Sequence, residues 1–142
     1  MTTKRPAVLF VCVKNGGKSQ MAAALMRHRA ADTVEVHSAG TRPGSAINVQ
    51  SVEAIAEVGA DMSSAVPQPV TPELLRSVDH VIVIGGEAVI EPVDGMTAPV
   101  TTWNTDEPSQ RGIEGMERMR LVRDDIDAHV RALLTDLTQP SN

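Results

Sequence analysis

The sequence predicts an α/β domain built on a parallel sheet covered on both sides. Two apolar runs, Ala7–Val13 and Val78–Ile84 (the second interrupted only by Asp79 and His80), are each followed by a glycine pair, Gly16-Gly17 and Gly85-Gly86. Short segments that are apolar at every position read as strands buried on both faces, where a half-exposed strand would alternate. Helical patterns lie between them, and such alternation is the signature of a parallel sheet with helices packed against it. The 142 residues suit one domain over 1–142, with an ordered core of about 6–137.

Each element follows from its local pattern. After the glycine pair, Lys18 to Ala31 carries Met21, Ala22, Leu25 and Met26 at helical spacing. Val34, Val36 and Ser38 alternate into a second strand that ends at Gly40. Ser45 to Val58 reads as a helix through Ile47, Val52, Ile55 and Val58, stopped by Gly59. Pro72 to Ser77 is a short helix with Thr71 as its N-cap. Val100 to Trp103 is a fourth, weaker strand, and Arg111 to Leu137 is the longest helical pattern, with apolar Met116, Met119, Val122, Ile126, Val130 and Leu133. Ser64–Val70 and Glu91–Pro99 read as surface loops.

Composition narrows the function classes. A single cysteine excludes an internal disulfide, a four-cysteine zinc site and a dithiol cycle within one chain. His28, His37, His80 and His129 lack metal-ligand spacing, so no metal site is expected. Net charge is −5, which argues against a broad nucleic-acid surface and makes any anion site local. With one Trp, one Phe and no Tyr, platforms for stacking bases or phenyl rings are nearly absent. No apolar stretch approaches the roughly 20 residues of a membrane span, and nothing reads as a signal peptide, so the expected compartment is the cytoplasm.

In parallel sheets, ligands bind beyond the carboxyl ends of the strands, and the segment Cys12-Val13-Lys14-Asn15-Gly16-Gly17-Lys18-Ser19 lies at such a place. Its backbone N–H groups, with those of the first helical turn, face a partial positive charge and suit an oxyanion. Gly16 and Gly17 allow close backbone approach, Asn15 tolerates the left-handed region, and Lys14 and Lys18 add charge. A cysteine at the mouth of this field is favoured as thiolate, which suggests nucleophilic attack on a bound tetrahedral oxyanion. Two other readings remain: Cys12 as a small buried hydrophobe at a strand end, and a nucleotide-binding P-loop. The P-loop spacing fits from Gly17 onward, but Cys12 replaces its first glycine, and the later strand ends in Gly85-Gly86 without an acid for Mg²⁺.

This loop, the following Gln20-Met21-Ala22 and the Ser38-Ala39-Gly40 after the second strand resemble the low-molecular-weight phosphotyrosine phosphatase superfamily across nearly the whole chain. Within it, residues 11–24, 57–63 and 112–124 look most like the single-cysteine arsenate reductases of actinobacteria, which form an arsenate–mycothiol adduct that a mycoredoxin resolves. The resemblance implies a flavodoxin-like three-layer sandwich with a four-stranded parallel sheet, Cys12 as nucleophile, and an oxyanion site from the N–H groups of Val13, Lys14, Asn15, Gly16, Gly17 and Lys18. It further implies that Ser19 donates a hydrogen bond to the Cys12 thiolate and that Asn15 holds the loop's shape. A monovalent cation near Ser38, Asp61 and Ser63 is a weaker implication.

Two departures bear on function. The phosphatase pattern is C-x₅-R-[ST], whereas Lys18 stands at the arginine position, giving a point charge instead of a planar fork. The resemblance to the actinobacterial reductases implies the same lysine there. Family members place an Asp immediately before a Pro as general acid; here the run is Asp106-Glu107-Pro108, so position favours Glu107 and residue type favours Asp106. Both also read as solvated loop acids, or as a cap for the final helix. The aromatic residues that hold a phosphotyrosine ring in relatives are replaced by Ser109 and Gln110.

These readings converge on arsenate detoxification. Arsenate enters the Cys12–Ser19 loop, mycothiol replaces one of its oxygens, and a glutaredoxin-like mycoredoxin releases arsenite. No tightly bound cofactor is expected, and the chain is expected to be a monomer or a homodimer. The alternatives are a phosphatase working through a Cys12 phosphoenzyme and a non-catalytic oxyanion-binding relative. Arg118, Arg120, Arg123, Asp124 and Asp125 read as a solvated face of the final helix, and Trp103 as partial core.

Overall fold

The computed structural model describes residues 5–138. Its elements run β1 Ala7–Cys12, α1 Lys18–Ala30, β2 Glu35–Gly40, α2 Val49–Ala56, α3 Pro72–Ser77, β3 His80–Ile84, β4 Val100–Trp103 and α4 Gly115–Thr138. All strands are parallel, in the order β2-β1-β3-β4. After β2 the chain crosses back and adds β3 on the other flank of β1. The strand order therefore reverses beside β1, and the crevice for ligands opens at its carboxyl end, where Cys12 pairs with Gly40.

β1 is the axis of two cores. Val8 and Phe10 face a large cluster with Met21, Leu25, Ile55 and Ile126, contributed by α1, α2 and α4. Leu9 and Val11 face the opposite side, with Val81, Val83 and Leu75. Ala7 through Val11 are fully buried, which explains why the run is apolar at every position instead of every second one. Met21 to Met26 of α1 are also buried, as expected of a helix enclosed by the sheet, α2 and α4. The second face is covered by the short α3 and by segment 88–98, whose Ala88, Ala98, Val93 and Met96 pack on the sheet. Part of the segment expected as a surface loop is therefore a wall of the core.

Boundaries shift where a loop has another task. α2 begins at Val49 rather than Ser45, because the Asn48 side chain accepts from Ser51 N at 2.9 Å and caps the helix there. The last helix starts at Gly115, after a 3-10 turn over Pro108–Arg111 that ends in left-handed Gly112, φ 79°. β3 starts at His80, since the Asp79 carboxylate accepts from Ala7 N at 2.8 Å and ties the strands together at that end. Thr71 caps α3 as expected, accepting from Leu74 N at 3.1 Å.

Phe10, Trp103 and His129 form one ring cluster, tilted at the first contact and stacked at the second. Trp103 is 8% exposed, with ring centroids 5.6 Å from Phe10 and 5.0 Å from His129. His129 thus packs against the sheet's last strand from α4.

The charged stripe of α4 departs from the expected solvated face. Arg123 is buried, donating from Nη1 to Ala54 O at 3.0 Å and to Glu57 Oε1 at 2.7 Å. Arg120 grips the same carboxylate, donating to Glu57 Oε2 from Nη2 at 2.8 Å. Hydrogen bonds from Arg120 and then Arg123 hold the Glu57 carboxyl down at about 2, against an ordinary 4.5. A depressed carboxyl stabilises the fold above its unfolded value and loses that contribution as pH falls through its folded value. We therefore expect the melting temperatures of wild type and Glu57→Gln to differ by a constant gap above about pH 4.5. The gap should narrow on acidification and close near pH 2; a pH-independent gap would rule out this ionic clamp between the end of α2 and α4.

Candidate active site

The loop between β1 and α1 is shaped by hydrogen bonds to its carbonyls. The carbonyl oxygens of Cys12, Val13, Lys14 and Gly16 accept from the N–H groups of Thr41, Arg42, Gly44 and Asn48, at 3.1, 2.8, 2.9 and 2.8 Å. Asn15 O accepts from Gln20 Nε2 at 3.2 Å, and Gly17 O from Met21 N at 2.8 Å. Every carbonyl from 12 to 17 is thus held from outside the loop. A trans peptide points its C=O and N–H in opposite directions, and no cis bond occurs among the described residues, so the N–H groups of residues 13–18 turn to the inner side. One of them is seen at work: Asn15 N donates to Cys12 Sγ at 3.2 Å.

Two glycines permit this wrapping. A Cβ on Gly40 would lie 2.6 Å from Val13 O, and one on Gly16 would lie 2.8 Å from Ala46 O. Residues 41–48, which the sequence reading placed partly in a helix, instead form a strap laid against the loop's carbonyl side.

Asn15 is the internal scaffold. It is fully buried in the left-handed region, φ 54°, at a position tolerant of that conformation chiefly in Gly, Asn and Asp. Its Oδ1 accepts from the backbone N–H of Gln68 at 2.9 Å, which fixes the orientation of the amide, and also from Gln20 Nε2 at 3.0 Å. Its Nδ2 then donates to Ser19 Oγ at 2.8 Å. With that oxygen accepting from Asn15, the Ser19 hydroxyl hydrogen is free to donate to Cys12 Sγ, 2.9 Å away. The half-buried sulfur therefore receives a hydroxyl and a backbone N–H, which hold it in place at the mouth of the loop.

Cys12, Val13, Lys14, Lys18 and Glu107 border one cleft of about 600 Å³, together with Gly85, Gly86, Gln110 and Arg118. Gly16 and Gly17 border an adjoining groove of about 630 Å³ under the 41–48 strap, which shares Lys14, Lys18 and Arg118 with the cleft. The two loop acids part company here. Glu107 forms an ion pair with Lys18 inside the cleft. Asp106 is bound by both Nη atoms of Arg111, at 2.7 and 3.0 Å, which lowers its carboxyl from the ordinary value and commits it as an anion. Its backbone N–H donates to Asp125 Oδ2 at 2.8 Å, so α4 anchors the acid loop. Asp125 is thus a loop anchor rather than part of a solvated face.

The family model for low molecular weight phosphotyrosine protein phosphatases matches residues 7–142. The chain belongs to that family. Among family relatives, a protein of Halobacterium salinarum described as a putative arsenate reductase is 35% identical over 126 residues, 85% of each chain. The arsenate reductase of Shouchella clausii is 30% identical over 128 residues, 87% of this chain and 91% of its own. A thioredoxin-dependent arsenate reductase of Corynebacterium glutamicum superposes with a TM-score of 0.79 at 34% identity, covering 96% of this chain. This chain spans 64% of that protein's length. The four-stranded parallel sheet and its helices are the phosphatase-family fold.

Several oxygens beside this family member's loop, where a monovalent cation was a weaker implication, accept N–H groups. Asn15 O and Oδ1 already accept N–H groups from Gln20 and Gln68, Ser38 O accepts from Gln68 Nε2 at 2.7 Å, and Asp61 Oδ1 accepts from Ser63 N at 2.8 Å. Sequence reasoning missed Gln20 and Gln68 as supports. A glutamine within the apolar face of α1 was the available signal for the first; Gln68, between two prolines, offered none.

If the Ser19 hydroxyl supports the Cys12 sulfur as nucleophile, Ser19→Ala should slow alkylation of Cys12 by iodoacetamide about tenfold or more. Asn15→Ala should slow it as well and also lower the melting temperature, because it frees buried donors and acceptors. An unchanged rate in Ser19→Ala would exclude this hydroxyl as support.

Proposed function

We propose that this protein reduces arsenate by joining it to mycothiol, with a mycoredoxin completing the reduction. The observation that carries the reading is the single thiol: Cys12 sits in the anion loop, and the 142-residue sequence holds no other cysteine to close an internal disulfide. The arsenate reductases among the relatives support the substrate, and the missing aromatic wall after Pro108 supports a small inorganic oxyanion over a phosphotyrosine.

Arsenate lies against the inward N–H groups, with Lys14 and Lys18 balancing its charge. Mycothiol sulfur forms a bond to arsenic, either directly or by displacing Cys12 from a first covalent adduct, and one arsenic–oxygen bond breaks. Glu107 supplies the proton with which that oxygen leaves as water, and arsenic remains pentavalent. A mycoredoxin thiolate then attacks the mycothiol sulfur; a mixed disulfide forms, and the two electrons of the sulfur–arsenic bond pass to arsenic as arsenite. The bound oxyanion also competes with Glu107 for Lys18.

Incubation of the protein with arsenate, mycothiol and mycoredoxin should yield arsenite, with none when mycothiol is omitted or when thioredoxin replaces both partners. Brisk hydrolysis of an aryl phosphate with no arsenite in the complete mixture would favour a phosphatase working through a Cys12 phosphoenzyme and overturn the reductase reading.

The two acids should separate in the same assay. Glu107→Gln should lower the rate about a hundredfold or more, as expected on removal of a general acid. Asp106→Asn should act mainly through the stability of the loop, with a rate within about threefold of wild type once the protein is folded. The reverse ranking would return the proton to Asp106.

A further inference from the structure

The cleft that holds Cys12 lacks the planar cation that the C-x₅-R-[ST] pattern provides, since Lys18 stands in its place and is paired with Glu107. A guanidinium nevertheless reaches the site from elsewhere in the chain. Arg118, in the first turn of α4, borders both the Cys12 cleft and the groove under the 41–48 strap.

Its state differs from that of most other arginines; Arg42, which also borders the groove, is exposed. Arg29, Arg111, Arg120, Arg123 and Arg131 are paired with carboxylates, and Arg27 and Arg76 donate to carbonyls. Arg118 Nε is buried with no hydrogen-bond partner among the described residues. Burial of an unsatisfied cationic donor is unfavourable unless something supplies the acceptor, and the surroundings contain few. The groove on one side has no acidic residue in its lining. On the other side the cleft has two carboxylates, Glu107, engaged by Lys18, and Glu87 on the loop after β3. A partly desolvated guanidinium bordering a groove without carboxylates is a receptor for an anion, and its fork matches two oxygens of a tetrahedral one.

Its position is secured from below. Met119, the next residue, is buried and accepts a contact from Ser51 Oγ at 3.4 Å, which fixes the turn of α4 over α2. The arginine side chain is therefore held at the junction of cleft and groove by helix packing, independently of the loop.

We propose that Arg118 is a substrate-binding residue, supplying to the tetrahedral oxyanion the guanidinium that the loop lacks. This rests on the reading that the Cys12 loop binds such an anion. In the complex, the loop N–H groups hold the oxyanion from one side and Arg118 closes on it from α4, leaving Lys18 to neutralise charge and to exchange with Glu107.

Calorimetric titration with inorganic phosphate, a non-reducible stand-in for arsenate, tests the assignment. Protection of Cys12 from iodoacetamide by the same phosphate reports whether the anion sits at the sulfur. Arg118→Ala should raise the phosphate dissociation constant about tenfold or more and weaken the protection in parallel. Arg118→Lys should fall between wild type and Arg118→Ala, because it keeps the charge and loses the fork. Arg120→Ala, which removes a surface pair with Glu57, should leave phosphate affinity unchanged. Melting temperatures of all variants show which are folded, and Arg118→Lys carries the test should the alanine variant not fold. A folded Arg118→Ala or Arg118→Lys that binds phosphate as tightly as wild type overturns the proposal, while arsenite production by the wild type leaves the reductase reading standing. A wild-type protein that binds neither phosphate nor arsenate overturns both.

Discussion

The outward anchoring of six consecutive carbonyls, from Cys12 to Gly17, is the constraint on which the site depends. An anion cradle needs several N–H groups converging on one point, and an isolated peptide loop has no reason to keep them there. Planarity of the peptide turns the problem around: hold each carbonyl from outside and its paired N–H must face in. Four of the six anchors come from residues 41–48, so the cradle is as much a product of the chain after β2 as of the loop itself. This explains why Gly40 and Gly16 carry no side chain. At each, a Cβ would fall within 3 Å of a carbonyl oxygen and push the strap away from the loop.

Asn15 links this architecture to chemistry. Its carbonyl side is held by Gln20 and Gln68, which leaves its amide hydrogen for Ser19 and the Ser19 hydroxyl for Cys12. A single polar line therefore runs from the buried interior to the sulfur. Low dielectric strengthens each bond in such a line and makes an unpaired member expensive, so the buried polar residues here specify one arrangement as well as one reactivity. Around the rim, charge is used differently. Lys18, Glu107 and Arg118 border the same cleft, but only the first two are paired, and Asp106 is withdrawn by Arg111 into a structural role.

The sole cysteine bears on the overall chemistry. A two-electron reduction at arsenic consumes two thiols, and a chain with one cannot close the cycle alone. The space beside the loop accords with that need: the cleft and the adjoining groove, about 600 and 630 Å³, each exceed a tetrahedral anion several times over. A second reactant has room next to the first.

How much of this was legible beforehand depends on range. The strand–loop–helix from Ala7 to Ala30, the Thr71 cap and the parallel sheet follow from local pattern, because apolar runs, glycine pairs and capping residues act within a few positions of themselves. Cys12, Lys18 and the glycines were readable for the same reason: the anion loop is contiguous, and its chemistry is written in adjacent residues. The choice between Asp106 and Glu107 was not, since both are carboxylates in one loop and only the approach of Arg111 and Lys18 tells them apart. Arg123 and Asp125 read as surface charges because helical spacing puts them on one polar face; packing of α4 on α2 and on the acid loop turned that face inward. Gln20, Gln68 and Arg118 likewise reach the site from separate elements. The sequence by itself determined the sheet and the contiguous Cys12–Ser19 loop at the end of its first strand. Only the tertiary structure decided which acid and which arginine border the cleft with Cys12, because those placements come from across the chain and no local pattern encodes them.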